Sequence, residues 1–284
     1  MKYLKQSFLF LLIGLIASSV SHAAEQLNVQ GFSDDTRLPI TVLKKIINQD
    51  KTYRLNFPDD AHRTLSSETK LHADVQNNDI DIIWTLTSKQ HEEKFRAIYI
   101  PLYKGMLGMR IAIVKQENKN LFSNISNLDQ LRAFKAGQGS LWADTKILEH
   151  NELTVVKELK YNNLFPMLEG ERFDYFPRGI PEPWAEIDRE SEYNLVVEPH
   201  LLIKYTAPFY FFVNKENRQL AHYLTEKLNA LITSGEYEEI FNSHTEIQDA
   251  IQLANLGNRV IINLENPGLT AQTPIERKEL WFNN

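Results

Sequence analysis

LNVQGFSDDTRLPITVLKKIINQ, residues 27–49, reads as a strand followed by a helix. Leu27 to Phe32 is a short apolar run suited to a strand. Asp34 or Asp35 offers a side-chain cap, and Leu38, Val42, Ile46 and Ile47 then recur at helical spacing between about Arg37 and Gln49. Tyr53 to Phe57 supplies the next strand, and residues 65–78 are polar but helix-compatible. Asp79-Ile-Asp-Ile-Ile-Trp84 enters a buried strand that ends in Thr85-Leu86-Thr87, and Met106 to Lys115 reads as another. Such alternation of β-branched runs with amphipathic stretches predicts an α/β protein with mixed sheets flanked by helices.

The texture changes after Lys115. Residues 116–127 are polar and rich in asparagine, as a crossing between lobes would be, so a boundary is expected there. Ser126 caps an expected helix through Phe134, the turn Gly137-Gln138-Gly139-Ser140 leads into a helix at 142–150, and residues 153–159 form a strand. Residues 161–169 read as a helix closed by Gly170. Short strands are expected at 173–176 and 193–197, separated by the proline-bearing loop 177–182. Residues 201–214 are long for one strand and carry Pro208 near the middle, which predicts an extended segment returning from one lobe to the other. Leu220, Tyr223, Leu224, Leu228 and Leu231 then make a helical stripe ended by Gly235, and residues 259–264 read as a last short strand.

Lys2 and Lys5, the apolar run Phe8 to Ala17 and Ser21-His22-Ala23 have the layout of an export signal, with cleavage expected after Ala23. The run is about half of the roughly 20 residues a bilayer span needs. Loss of Lys2 and Lys5 leaves 29 basic against 37 acidic side chains, a net charge of −8. That balance gives no overall attraction to nucleic acid or anionic lipid. The absence of cysteine excludes disulfides, thiol catalysis, cysteine-ligated zinc and a thioether lipid anchor, so stability rests on burial. A monomer free in the periplasm is the expectation.

Several local stretches, taken in order, carry a resemblance. They are Asp79-Ile-Asp81 before Trp84-Thr85-Leu86-Thr87, then Ile100-Pro101-Leu102-Tyr103 before a hydrophobic strand, and Gly137-Gln138-Gly139-Ser140 opening a helix. Phe209-Tyr-Phe-Phe-Val-Asn-Lys215 before a long helix and Ser234-Gly-Glu-Tyr237 complete the set. The chain resembles the bacterial extracellular solute-binding proteins of the family 3 class, with the type 2 periplasmic binding protein fold, which include amino-acid receptors. The resemblance implies two α/β lobes joined by two crossover segments, here residues 24–115 plus 209–284 and residues 116–208. It also implies a small-molecule ligand held in the cleft and a membrane partner, either an ABC-type permease or a signalling protein.

The expected ligand-binding residues follow from that cleft. The Gly137 to Ser140 turn presents Gln138, Gly139 and Ser140 at a helix start, where backbone N–H groups favour polar or anionic groups. Trp142 is placed to wall the cleft, with core packing the competing fate. Thr85 and Thr87 follow a buried strand, at the edge where open α/β sheets hold ligands. Trp84 and Tyr103 are candidate aromatic walls. Amino-acid receptors of the family continue the threonine stretch with an arginine that grips the ligand carboxylate; here that position is Gln90. They also place an aspartate after the second-lobe strand, where this chain has Arg178. Arg178 is therefore read either as facing an anionic or strongly hydrogen-bonding ligand or as tethered to Glu182 or Glu186. Arg96 and Arg110 are the other candidate replacements for the arginine, and Trp184, Glu182 and Asp144 are lesser candidates.

Enzyme motifs are absent from the sequence. His91-Glu92-Glu93-Lys94-Phe95 lacks the second histidine of a zinc protease, Gly137 to Leu141 is not a nucleophile elbow, and no phosphate-binding glycine loop occurs. The eight histidines show no metal-ligand spacing, so neither a metal site nor a cofactor is expected. Binding of a small polar solute, amino-acid-like or anionic, is the function expected, with an enzyme on the same fold as the lesser alternative.

Overall fold

The computed structural model describes residues 23–62 and 66–282. The expected export signal lies outside the described residues except for Ala23.

Two sheets organise the chain. In the first, Tyr53–Asn56 and Glu25–Asn28 pair in parallel, and a parallel bridge from Val29 to Ile82 brings Ile83–Leu86 alongside. Phe209–Asn214 then inserts antiparallel between Ile83–Leu86 and Phe95–Ile98. The inserted strand comes from late in the sequence yet lies near the centre, and Tyr210, Phe211, Phe212 and Val213 are fully buried. Each such side chain contributes about 1.5–3 kcal/mol on burial, which is what holds the returning chain in this sheet.

The second sheet is built on Met109–Lys115, whose first six residues are all buried. One edge of that strand pairs with Phe176–Gly179, which touches Lys135–Gly139 through a bridge between Ala136 and Tyr175; Thr154–Glu158 lies beyond in parallel. The other edge takes Leu195–Val197 and Leu201–Lys204 in succession, and Val260–Asn263 adds in parallel to the latter.

The pairings move the expected boundary. Met109–Lys115 belongs to the second sheet, so the first crossing is residues 99–108, and the asparagine-rich stretch after Lys115 stays within the second unit. The true crossing contains Ile100, Leu102, Tyr103, Met106 and Leu107, all buried, and so is mainly apolar, unlike a polar linker. The return crossing is residues 205–208, between Leu201–Lys204 in the second sheet and Phe209–Asn214 in the first. The end of the chain was expected wholly in the first lobe, but Val260–Asn263 adds an edge strand to the second. Buried Arg259 holds it there, donating to the carbonyls of Ala254, Glu198 and Leu201 at 2.6–2.9 Å.

Helix Leu38–Ile47 shows how distant residues finish local structure. Its apolar stripe follows the sequence expectation and Pro39 stands in its first turn, but neither Asp34 nor Asp35 caps it. The Leu38 N–H instead donates to Glu246 Oε2 at 3.0 Å, from a helix 208 residues further on. No helix among the described residues is long and apolar enough to cross a membrane.

Candidate functional site between the lobes

Arg110, Asp144, Arg178 and Glu186 are charged side chains that are buried. On the second unit, Arg178 donates from Nε to both oxygens of Glu186 at 3.0 and 2.8 Å, and from Nη2 to Glu186 at 2.7 Å and Glu182 at 2.8 Å. Its guanidinium lies 5.0 Å from the Trp142 ring and 4.9 Å from Phe176. Burial works against the charge, and the two carboxylates overcome it, so the Arg178 pKa is raised. Glu182 also accepts from the Gly179 N–H at 2.6 Å and from Arg110 at 3.2 Å. Arg110 in turn donates to Asp144 at 2.6 Å, and Asp144 accepts a further hydrogen bond from the Tyr205 hydroxyl. Glu182 is thus the shared acceptor of two guanidiniums.

On the first unit, Gly31 adopts φ 89°, and Trp84, Asp35 and Arg37 converge on the space where a Cβ would stand, at 3.5–3.7 Å. Arg37 pairs with Asp35 at 2.5 Å. The Tyr103 hydroxyl donates to Glu246 at 3.0 Å. Burial raises the pKa of both Tyr103 and Glu246, and the Glu182 charge, from the opposite unit, pushes each the same way. A direct contact also spans the units, from Lys146 Nζ to Gln90 Oε1 at 3.1 Å, both residues being exposed.

The residues expected from sequence are distributed as follows. Trp84 is buried beside Gly31, and Thr85 is half-buried opposite Tyr210 in the strand pair. Thr87 turns inward and donates to Glu92 at 2.6 Å, so its hydroxyl is committed to the fold. Tyr103 is likewise committed to Glu246. Gly139 lies under Trp142, close enough that an added Cβ would meet the indole at 2.5 Å. The turn does not hold its amides free, because Ser140 N–H donates to the Glu158 carbonyl and Trp142 N–H to Gly139. Gln138 is fully buried, and neither its amide oxygen nor its nitrogen has a hydrogen-bond partner among the described residues. Arg178 meets the tethering description with both glutamates at once. Gln90 is exposed and holds Lys146, Arg96 donates to the Lys215 carbonyl at 2.9 Å, and Trp184 packs half-buried against the main core.

Arg37, Glu246, Tyr205 and Lys146 were missed, having no local motif. His72 and His91 meet at Glu68, with one ligand atom from each of the three residues lying within 4.8 Å of the others. Burial, with the Asp144 charge adding to it, raises the Glu68 carboxyl to about 7, and burial lowers His72 to about 4. This cluster could hold a metal ion.

No family model matches the sequence, and no curated protein does. Solved structures do match. An ancestral arginine-binding protein bound to arginine is 17% identical with a TM-score of 0.57, over 79% of this chain and 100% of that one. An amino-acid ABC transporter substrate-binding protein of Streptococcus pneumoniae, bound to L-arginine, is 14% identical at 0.55, covering 82% of this chain and 96% of its own. A histidine kinase sensor domain with similarity to periplasmic binding proteins is 12% identical at 0.58, covering 79% and 96%. Likeness at these identities establishes the fold, which is the two-lobed one of periplasmic binding proteins.

Proposed function

We propose, with the periplasmic binding-protein fold as premise, that this chain captures a small polar, amino-acid-like solute between its lobes and closes over it. The observation that carries the reading is the Lys146–Gln90 contact at 3.1 Å. Both residues are exposed side chains, so here the lobes meet through a contact that water replaces at little cost. The crossings at 99–108 and 205–208 supply the hinge segments that such a closure uses.

Charge favours an amine on the solute. Arg37, Arg110, Arg178 and Lys146 stand against Asp35, Asp144, Glu182, Glu186 and Glu246, four cations against five carboxylates. An ammonium group entering between Glu182 and Glu246 would relieve that excess. Trp142, stacked on Arg178, offers the solute an aromatic face, and buried Gln138 has amide capacity unused in the present arrangement.

The proposed role is binding without turnover, in the periplasm after export, for delivery to an ABC-type permease. The likeness to a histidine kinase sensor domain favours signalling as the second reading, in which the closed form contacts a membrane sensor. A thermal-shift screen of amino acids, amines, dicarboxylates and short peptides tests the proposal. Stabilisation by an amine-bearing solute and none by dicarboxylates is expected; no stabilisation by any of them would overturn it.

A further inference from the structure

We propose that Glu68, His72 and His91 form a binding site for a divalent transition-metal ion of the zinc class, a site separate from the solute cleft described above. Glu68 Oε1 lies 3.9 Å from His72 Nε2 and 4.0 Å from His91 Nε2. Tetrahedral zinc with bonds of about 2.0–2.1 Å separates its ligands by about 3.3–3.4 Å, so side-chain shifts of less than about 1 Å close the three onto one ion.

The imidazoles are prepared for it. His91 Nδ1 stands 3.0 Å from the Leu86 carbonyl oxygen, which only accepts, so the ring proton belongs on Nδ1 and the lone pair on Nε2 faces Glu68. A carbonyl behind the imidazole is the arrangement that orients metal-ligating histidines. Glu68 and His72 stand four residues apart on helix Glu68–Gln76, whose start Ser67 caps. His91 comes from helix Lys89–Lys94, capped by Ser88. Phe95 packs on the His72 ring and Phe212 on the His91 ring, which fixes both orientations.

Among the described residues the carboxylate has no other partner. Glu68 is three-quarters buried, yet it accepts no hydrogen bond among the described residues, and its contacts are the two long ones to histidine. Surrounding charges are mixed: Asp144 acts on Glu68, while Lys94 and Lys146 act on His91 opposite Glu92. Two imidazoles with one carboxylate suit zinc, nickel or copper over calcium and magnesium, which prefer all-oxygen sites. Because Lys146 of the second lobe reaches Gln90, next to His91, the ion would sit on the first lobe beside the contact that opens and closes.

Titration of the chelator-stripped full chain with Zn²⁺ by calorimetry tests the site. About one equivalent is expected to bind, with Glu68→Gln and His72→Ala each weakening affinity about tenfold or more. His150→Ala, which removes an exposed histidine elsewhere, should leave it unchanged, and Ca²⁺ and Mg²⁺ should give no heat of binding. Circular dichroism of the metal-free variants verifies folding. Imidazole NMR of the unmutated protein gives an independent reading, in which Zn²⁺ shifts the His72 and His91 resonances. Absence of stoichiometric binding, wild-type affinity in both folded variants, or shifts confined to other histidines would overturn the proposal.

Discussion

Arg178 grips Glu186 through both carboxylate oxygens, donating from Nε and Nη2 at 2.7–3.0 Å, and each partner is more than nine-tenths buried. Removing one partner of such a pair leaves an uncompensated buried charge, at a cost of about 3–5 kcal/mol. Arg178→Ala should therefore lower the unfolding free energy by about 3 kcal/mol or more in urea. Arg178→Met combined with Glu186→Leu should recover much of the loss, because it removes both charges and keeps apolar volume. A loss below about 1 kcal/mol for the single variant would contradict the tethering role.

Glu246 closes the start of helix Leu38–Ile47 and receives the Tyr103 hydroxyl. Burial raises its carboxyl above the ordinary range, against the hydrogen bonds from Leu38 and Tyr103. A folded-state pKa raised above the unfolded one gives stability that is full below the unfolded value and lost as pH rises through the folded one. Glu246→Gln keeps an acceptor but does not ionise. It should therefore gain on wild type as pH climbs above the ordinary carboxylate range near about 4, read by urea unfolding at each pH. Glu246→Ala leaves the Leu38 N–H and the Tyr103 hydroxyl without their acceptor and should lose about 1–3 kcal/mol throughout. A Gln-to-wild-type difference that is flat, or that falls with pH, would refute this account of Glu246.

Gly137 and Gly139 point the same way from their strand and face different neighbours. An added Cβ would stand 2.2 Å from Phe173 at Gly137 and 2.5 Å from the Trp142 indole at Gly139. Gly137→Ala meets a buried ring and should cost about 1–3 kcal/mol in unfolding free energy. Gly139→Ala displaces a half-buried ring at the cleft, so its larger effect should be on solute affinity, about tenfold or more, with a smaller stability loss. Equal effects of the two on affinity would show that Trp142 is not part of the site.

Lys146 and Gln90 connect the lobes by one exposed contact. Lys146→Met should leave stability within about 0.5 kcal/mol while changing solute affinity several-fold, if the proposed closure uses this contact. Unfolding curves and titrations on the same preparation separate the two effects.

Much of the fold was legible in sequence because burial is periodic. The stripe of Leu38, Val42, Ile46 and Ile47 gave the first helix within two residues at either end, and Pro208 within residues 201–214 marked the segment that returns between the sheets. Pairing across the sheets was less visible. Residues 177–179 read as a proline loop, yet Phe176–Gly179 is a strand with Pro177 opposite Ala112, since the partner strand decides the pairing. The boundary was misplaced for a related reason: residues 99–108 cross between sheets inside the core, where apolar composition is required and no linker signal survives.

The site was less legible than the fold. Of the expected positions, Trp84 is buried beside Gly31, Gly139 lies under Trp142, and Arg178 is held by Glu182 and Glu186. What holds them could not be read locally. Glu246 reaches Leu38 over 208 residues, and Tyr205 reaches Asp144 over 61. The Glu68 to His72 spacing was present in the sequence, but His91 joins them only through packing of a second helix, so no motif announced the cluster.

The central claim is that solute binding closes the two lobes. Small-angle scattering during titration with the solute that the thermal screen identifies tests it most directly, with Trp142→Ala measured in parallel. The radius of gyration should fall saturably with the same midpoint as calorimetric binding, and the variant should need about tenfold or more solute to reach the same state. An unchanged radius at saturating solute, or identical curves for wild type and Trp142→Ala, would contradict the account.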